Sequence, residues 1–349
     1  MRKPSLNKAA KTVQKETLLT VVVPAYNEQE VILEFHRRLC SALEGADIDR
    51  AEILYVNDGS SDNTLPLLLE LMREDRRVEV LDLSRNFGKE AAMTAGLDHA
   101  HGDAVVVIDA DLQDPPEQIP DMVREWRQGF DVVYMRRLSR EGETWLKKTT
   151  ARAFYALMAR VGRVKVPENV GDFRLLSRRA VDALKQLPER TRFMKGLFAW
   201  IGFPAKELPY HRDPRYAGVT KWNYWGLWNL AIEGITSFTV APLKIASYIG
   251  FLTSAAALLY GLFVLAKALF FGDPVPGYPS LMVVILFLGG LQLLAIGVVG
   301  EYLGRMFVET KQRPIYLVNS HHRAAIGRVV LKPFDLARRN QEALSWHSN

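Results

Sequence analysis

Apolar and polar positions along the first half of the chain switch between two patterns, and the switches mark its elements. Leu18-Leu19-Thr20-Val21-Val22-Val23 is a nearly unbroken apolar run that ends in Pro24-Ala25-Tyr26-Asn27-Glu28. Ile53–Val56 and Val105–Ile108 behave alike, ending in Asn57-Asp58-Gly59-Ser60-Ser61-Asp62 and in Asp109-Ala110-Asp111-Leu112-Gln113-Asp114-Pro115-Pro116. Runs without alternation fit strands covered on both faces, as in a parallel sheet. Val78–Leu83 predicts a further strand. Between these runs the period becomes helical. Val31, Ile32, Phe35, Leu39 and Leu43 share one face of a helix read over 28–43, and two more helices are predicted over 64–74 and about 89–101. Asn27 with Glu30 three residues later predicts a capping box for the first helix. The order β-α-β-α-β-α-β argues for an α/β fold: a mostly parallel, Rossmann-like sheet with right-handed crossovers and flanking helices.

Open sheets of this kind bind ligands beyond the C-terminal ends of their strands. Three strand ends here present Tyr26, Glu28, Asp58, Asp109 and Asp111 together. An isolated Asp-x-Asp is more often a polar turn than a site; the convergence of three such ends favours a site. Asp109, Asp111 and Gln113 place two carboxylates and an amide oxygen within five residues, hard donors suited to Mg²⁺ or Mn²⁺. Neither G-x-G-x-x-G after the first strand nor G-x-x-x-x-G-K-[ST] is present. A diphosphate would therefore need a metal and basic side chains to hold it.

The C-terminal third has a different character. Ile245–Phe271 is almost continuously apolar, with Lys267 near its end, and Leu281–Val299 has no charged side chain. Each is of the order of the ~20 residues that cross a bilayer core. The loop between them lacks Lys and Arg, whereas Arg305, Lys311, Arg313, Arg323 and Arg328 follow the second. That asymmetry predicts both termini on the cytoplasmic side of a cell inner membrane. The chain thus divides into a flexible polar extension (1–16), a cytoplasmic α/β domain (17–226), an interfacial amphipathic helix (227–243), two transmembrane helices (244–271 and 280–304) and a basic cytoplasmic tail (305–349). Trp222, Tyr224, Trp225 and Trp228 suit headgroup depth just before the first span. Leu331, Phe334 and Leu336 suggest a short amphipathic helix in the tail.

A net charge of +6 favours an anionic partner, and membrane lipid fits better than nucleic acid. Basic residues between Arg136 and Lys165 are mostly expected to be solvated, although each attracts anionic headgroups by about 1 kcal/mol. Cys40 is the single cysteine, so no intrachain disulfide forms. No apolar stretch follows the basic Met1-Arg2-Lys3, and no signal peptide is read.

The three strand-end motifs, with Gly171-Asp172-Phe173-Arg174-Leu175-Leu176-Ser177-Arg178 and Ala217-Gly218-Val219-Thr220-Lys221, resemble those of family 2 glycosyltransferases with a GT-A fold. Within that family the chain is most similar to the polyprenyl-phosphate hexose synthases, closest to the bactoprenol glucosyltransferases and related to dolichyl-phosphate mannose synthase. The resemblance spans roughly residues 17–320 and implies transfer of a hexose from a nucleotide sugar, UDP-glucose favoured, to undecaprenyl phosphate. It implies a catalytic set of Asp109, Asp111, Asp172 and Arg174, with Mg²⁺ or Mn²⁺ on Asp109, Asp111 and Gln113. Pro24, Tyr26, Glu28, Asp58 and Asp109 would contact the nucleotide sugar, and Arg212, Arg215 and Lys221 would close over its diphosphate. Arg137 with Lys147 or Lys148 would clamp the lipid phosphate. Asn57 departs from the family, where many relatives have Asp, so the base or ribose contact falls to Asp58. Relatives often assemble through their membrane helices, which leaves a homo-oligomer open. GDP-mannose, UDP-galactose or an aminoarabinose nucleotide as donor, and a non-catalytic nucleotide-sugar-binding scaffold, remain alternatives. A processive synthase is disfavoured by the absence of Q-x-x-R-W.

Overall fold

The computed structural model describes residues 16–138, 170–211, 241–271 and 277–323. Strands β1 (Leu18–Ala25), β2 (Arg50–Asn57), β3 (Val78–Leu83) and β4 (Ala104–Val107) alternate with helices α1 (Ile32–Glu44), α2 (Thr64–Glu74) and α3 (Lys89–His99). A 3₁₀ turn at Pro116–Gln118 leads into α4 (Ile119–Arg127) and β5 (Val132–Arg137). After the undescribed 139–169 come β6 (Val170–Ser177), α5 (Arg178–Lys185), α6 (Met194–Trp200) and β7 (Ala205–Tyr210). Two long helices, α7 (Ala241–Phe271) and α8 (Tyr278–Lys311), and a last strand, β8 (Val318–His322), complete the described elements.

The strands form one sheet in the order β7-β5-β6-β4-β1-β2-β3-β8. β1 pairs in parallel with both β2 and β4, setting Val21 opposite Ile53 and Val106. Their C-terminal ends therefore open on one edge, with β1 in the middle, as the apolar runs predicted. β6 pairs antiparallel with β4 and with β5, and β8 antiparallel with β3, so the sheet is mixed. Both faces are covered. Val21, Ile53, Tyr55 and Val106 pack with Phe35, Leu39 and Leu68 from α1 and α2. Val22, Leu54, Val105 and Val107 pack on the other face with Met93, Val181, Met194 and Phe198 from α3, α5 and α6. This double burial is why the strands read as continuous apolar runs.

The capping box does not form. α1 starts at Ile32 without a side-chain cap. Asn27 instead adopts a left-handed conformation, φ 55°, and its Oδ1 accepts the Ser61 N–H at 2.9 Å. The Glu28 carbonyl accepts the N–H groups of Val31 and Ile32. Asn27 thus joins the first two strand-end loops rather than the helix.

α7 and α8 are long and apolar enough to cross a membrane, with the membrane-length segments at Pro242–Phe263 and Val283–Lys311. Their side chains face outward: Phe251 is 73% and Leu293 72% exposed, a cost in water that lipid removes. α8 runs on to Lys311, past the expected end at 304. It then meets the α/β domain, where Glu309 Oε1 accepts the backbone N–H of Arg190 at 2.9 Å and of Thr191 at 3.3 Å. Beyond it, Tyr316 donates to Asp98 Oδ2 at 2.9 Å, and β8 adds an edge strand to β3. The start of the expected tail is therefore part of the sheet. Leu331, Phe334 and Leu336 lie outside the described residues, as do the extension 1–15 and the aromatic cluster 222–228.

One polar group is buried in the core of the α1–α2 face. Arg77 donates to both oxygens of Asp75, at 2.6 to 2.9 Å, and to Cys40 Sγ at 3.0 Å. His36 lies 3.5 Å from Asp75 and shares a 2.9 Å hydrogen bond with Tyr55. His36, Cys40 and Asp75 could group around a metal, with donor atoms within 4.8 Å of one another, yet Arg77 already supplies the positive charge. Burial pushes the Cys40 thiol up to about 12, so it stays protonated. Burial acts to raise Asp75, but hydrogen bonds from His36 and Arg77 hold it well below the carboxylate range. Its stabilisation is therefore complete above about pH 4 and is lost as the pH falls below that. Asp75→Asn removes the carboxylate opposite Arg77 and is expected to cost about 3–5 kcal/mol. A urea midpoint unchanged at neutral pH would contradict this account.

Candidate active site

The strand ends position the predicted acids as expected and supply each with a partner. Asp58, 3% exposed just beyond β2, accepts the N–H of Phe87 at 2.8 Å and of Gly88 at 2.9 Å. Burial raises its pKa, and these two amides pull it back. Asp58 thus holds the loop that leads into α3. Gly59 makes the close approach feasible. With φ at +63°, a Cβ there would stand 2.4 Å from the Arg85 carbonyl carbon and 2.6 Å from the Asn86 nitrogen. Asn57 is explained by its neighbour: its Nδ2 donates to Asp82 Oδ1 at 2.6 Å, and Asn319 from β8 donates to Asp82 Oδ2 at 2.8 Å. An aspartate at 57 would set two buried carboxylates against each other.

Beyond β4, Asp109 and Asp111 are both partly exposed, while Ala110 and Leu112 are buried. Leu112 takes a left-handed conformation, φ 58°, strained for a branched side chain and of a kind that clusters at functional sites. The Gln113 N–H donates to Asp111 Oδ1 at 3.2 Å. Asp109, Asp111 and Gln113 therefore sit on one tight turn and form a hard-oxygen set suited to a divalent ion. Burial raises the pKa of Asp109, and the charges of Asp172, Asp114 and Asp111 add to this against the opposite pull of Lys89. A cation would relieve that crowding, so the residues fit the metal.

Asp172 and Arg174 enter from β6, whose antiparallel pairing sets Arg174 opposite Val107 and carries Asp172 toward the end of β4. The Asp172 carboxylate is bound by a residue that the motifs did not single out: Lys89 Nζ lies 2.5 Å from Asp172 Oδ2 and 2.7 Å from Asp109 Oδ2. Burial alone would raise Asp172, but Lys89 and then Lys195 hold it well below the carboxylate range. Its other oxygen, Oδ1, is buried with no hydrogen-bond partner among the described residues. Arg174 is turned inward. It stacks 3.7 Å over the Phe198 ring and donates to the carbonyls of Gly171 at 2.7 Å and Asp172 at 3.3 Å. It shapes the loop bearing Asp172, and burial lowers it to about 10. Glu90, next to Lys89, is pushed up to about 7 by burial and by Asp172.

A second network adjoins the first. Asp114 is fully buried; Tyr210 donates to its Oδ1, and its Oδ2 has no hydrogen-bond partner among the described residues. Arg137, at the end of β5, donates to the Tyr210 hydroxyl at 3.2 Å. A Cβ on Gly171 would come within 2.9 Å of the Arg137 guanidinium, so the glycine leaves the arginine its place. Pro24 pairs opposite Val56 inside the sheet. Tyr26 is 38% exposed at the rim, and the Glu28 N–H donates to Thr64 Oγ1 at 2.8 Å. The structure therefore gathers Asp58, Asp109, Asp111, Gln113, Arg137, Asp172 and Arg174 on one edge. Lys147, Lys148, Arg212, Arg215 and Lys221 lie outside the described residues.

Lys89, Asp114 and Tyr210 are the residues that sequence reasoning missed. A signal existed for Lys89, which follows Gly88 where a strand-end loop enters a helix. Gly59→Ala drives a methyl into the 85–86 backbone and is expected to cost about 1–3 kcal/mol. The check is the urea midpoint; no change would mean that the loop shifts freely.

Residues 20–185 match the model for glycosyl transferase family 2, and 241–306 match the GtrB C-terminal hairpin. A glycosyltransferase of Synechocystis is 52% identical over 301 residues, 86% of this chain and 94% of its own. The SfII prophage-derived bactoprenol glucosyl transferase of Shigella flexneri is 48% identical over 305 residues, 87% of this chain and 98% of its own. Among solved structures, glucosyl-3-phosphoglycerate synthase of Mycobacterium tuberculosis is a distant likeness at 21% identity and a TM-score of 0.43, over 63% of this chain and 78% of its own. With its strand-end carboxylates and paired apolar helices, the chain belongs to glycosyltransferase family 2.

Proposed function

We propose that this enzyme transfers glucose from UDP-glucose to undecaprenyl phosphate at the cytoplasmic face of the inner membrane. The observation that carries the reading is the union of two features in one chain. The hard-oxygen set of Asp109, Asp111 and Gln113 lies on a sheet that is itself tied, through Glu309 and β8, to the end of a membrane-length helix. A donor soluble in water and an acceptor held in lipid are both in reach of such a site. The glucosyl and bactoprenol specificities are supported by relatives that carry those names, 47–48% identical over 98% of their own length.

Asp109, Asp111 and Gln113 would hold Mg²⁺ or Mn²⁺, which supplies Lewis-acid neutralisation of the leaving diphosphate. Pro24, Tyr26, Glu28 and Asp58 frame the nucleotide side, with Arg212, Arg215 and Lys221 as further diphosphate contacts. Arg137, braced by Tyr210, faces the acceptor phosphate with Lys147 or Lys148. Asp172 and Arg174 shape the floor between them. The acceptor is a phosphomonoester whose second pKa is about 6, so it is already a nucleophile at neutral pH and needs no general base. In-line attack on the anomeric carbon inverts its configuration.

The test is transfer of labelled sugar to undecaprenyl phosphate by the purified protein, comparing UDP-glucose, UDP-galactose and GDP-mannose with Mg²⁺, Mn²⁺ or EDTA. Labelled lipid from UDP-glucose, lost in EDTA, is expected. Product from another donor only would replace the sugar, and no product from any donor would overturn the reading. Asp111→Ala is expected to lower transfer at least about 100-fold with an unchanged melting temperature; full turnover in that variant would sink the metal assignment. The acceptor kcat/KM should fall as the pH drops through about 6 and stay level above it. A limb that keeps rising well above pH 7 would instead reveal a protein base.

A further inference from the structure

Lys89 lies outside the five motifs that carry the family resemblance. Its ammonium spans Asp109 and Asp172, 2.7 Å from one carboxylate and 2.5 Å from the other. Its backbone is fixed. It opens α3 directly after Gly88, whose N–H is held by Asp58, and the three residues that follow Glu90 are buried against the sheet. The side chain itself is 44% exposed, whereas the carboxylates it bridges are 21% and 9% exposed.

Lys89 therefore acts as the counter-cation of the resting site. Two cations sharing the Asp109 carboxylate would repel each other at short range in a partly desolvated setting. A metal ion that draws on Asp109 must displace the ammonium or bind more weakly beside it. An ammonium that gives up Asp109 keeps Asp172 but loses one of its two anionic partners, unless a new anion meets it. A nucleotide diphosphate brings that anion to the same edge of the sheet. We propose that Lys89 is a positioning residue that couples metal binding to donor binding: it neutralises Asp109 and Asp172 in the empty site, then yields Asp109 and turns to the diphosphate. This inference rests on the assignment of Asp109 to the metal. It adds an order of events, in which the metal is retained with the nucleotide and not before it.

The experiment is Mn²⁺ binding, followed by loss of the free-ion EPR signal, for the full-length wild type, Lys89→Met and Lys89→Arg, each with and without UDP. UDP should tighten Mn²⁺ binding to the wild type about tenfold or more. Lys89→Met should bind Mn²⁺ without UDP about tenfold more tightly than the wild type, with most of the UDP enhancement gone. Lys89→Arg, which keeps the charge, should retain weak binding in the absence of UDP. A lysine that merely supports the fold would weaken metal binding when removed, so the rise in affinity is the diagnostic result. Lys89→Gln runs in parallel, so that one variant failing to fold leaves the comparison standing. Equal Mn²⁺ affinity in the wild type and the neutral variants, with the metal bound, overturns the coupling and leaves the proposed transfer intact. No Mn²⁺ binding to any form, with or without UDP, overturns both the coupling and the metal assignment.

Discussion

Carboxylates crowded into a partly buried space repel one another, and this chain brings Asp109, Asp111, Asp114 and Asp172 to one edge of its sheet. The ammonium of Lys89 between Asp109 and Asp172 is the interaction on which the arrangement depends. Without it, two charges would face each other in a setting where burial already disfavours ionisation. Asp114 meets the same difficulty differently, through the Tyr210 hydroxyl and the Arg137 guanidinium beyond it. The result is a cluster of acids in which protein groups already neutralise or hydrogen-bond the most crowded members.

The sheet makes this crowding inevitable and useful. Parallel pairing of β1 with β2 and β4 directs three loops to the same side. Antiparallel β6 then brings Asp172 in from the opposite direction, so that Lys89 reaches a carboxylate 83 residues away in sequence as well as Asp109. The long helices add a second constraint. Because α8 docks through Glu309 and the chain returns as β8 beside β3, the site has a defined relation to the end of a membrane-length helix. A soluble domain on a loose tether would have no such relation. The Asp82 carboxylate, shared by Asn57 of β2 and Asn319 of β8, links that returning strand to the C-terminal end of β2.

Much of this was legible in the residues because burial on both faces leaves a plain trace. The apolar runs located β1 to β4, and 64–74 and 78–83 were read to the residue. The positions of Asp109, Asp111 and Asp58 are legible because each lies just beyond an apolar run that ends a strand. The rest depended on contacts between distant segments. Lys89 looks like any lysine at the start of a helix, and only the pairing of β6 with β4 gives it Asp172. Val318-Asn319-Ser320-His321-His322 is too short and polar to read as a strand, as suits an edge. Asn27 looked like a helix cap because its spacing to Glu30 is right, yet the Ser61 amide took its side chain. The resemblance puts Arg174 in the catalytic set but does not give its inward turn, which only the Gly171 carbonyl and the Phe198 ring reveal.

The central claim is a single displacement in which an acceptor phosphate attacks the anomeric carbon of a nucleotide sugar at this acid-built site. The anomeric configuration of the sugar on the lipid product tests it most directly, read by phosphorus-coupled proton NMR after turnover of UDP-α-glucose with undecaprenyl phosphate. A β-linked glucosyl phosphate is the predicted result. An α-linked product would contradict it, because retention requires a route other than one in-line attack by the acceptor.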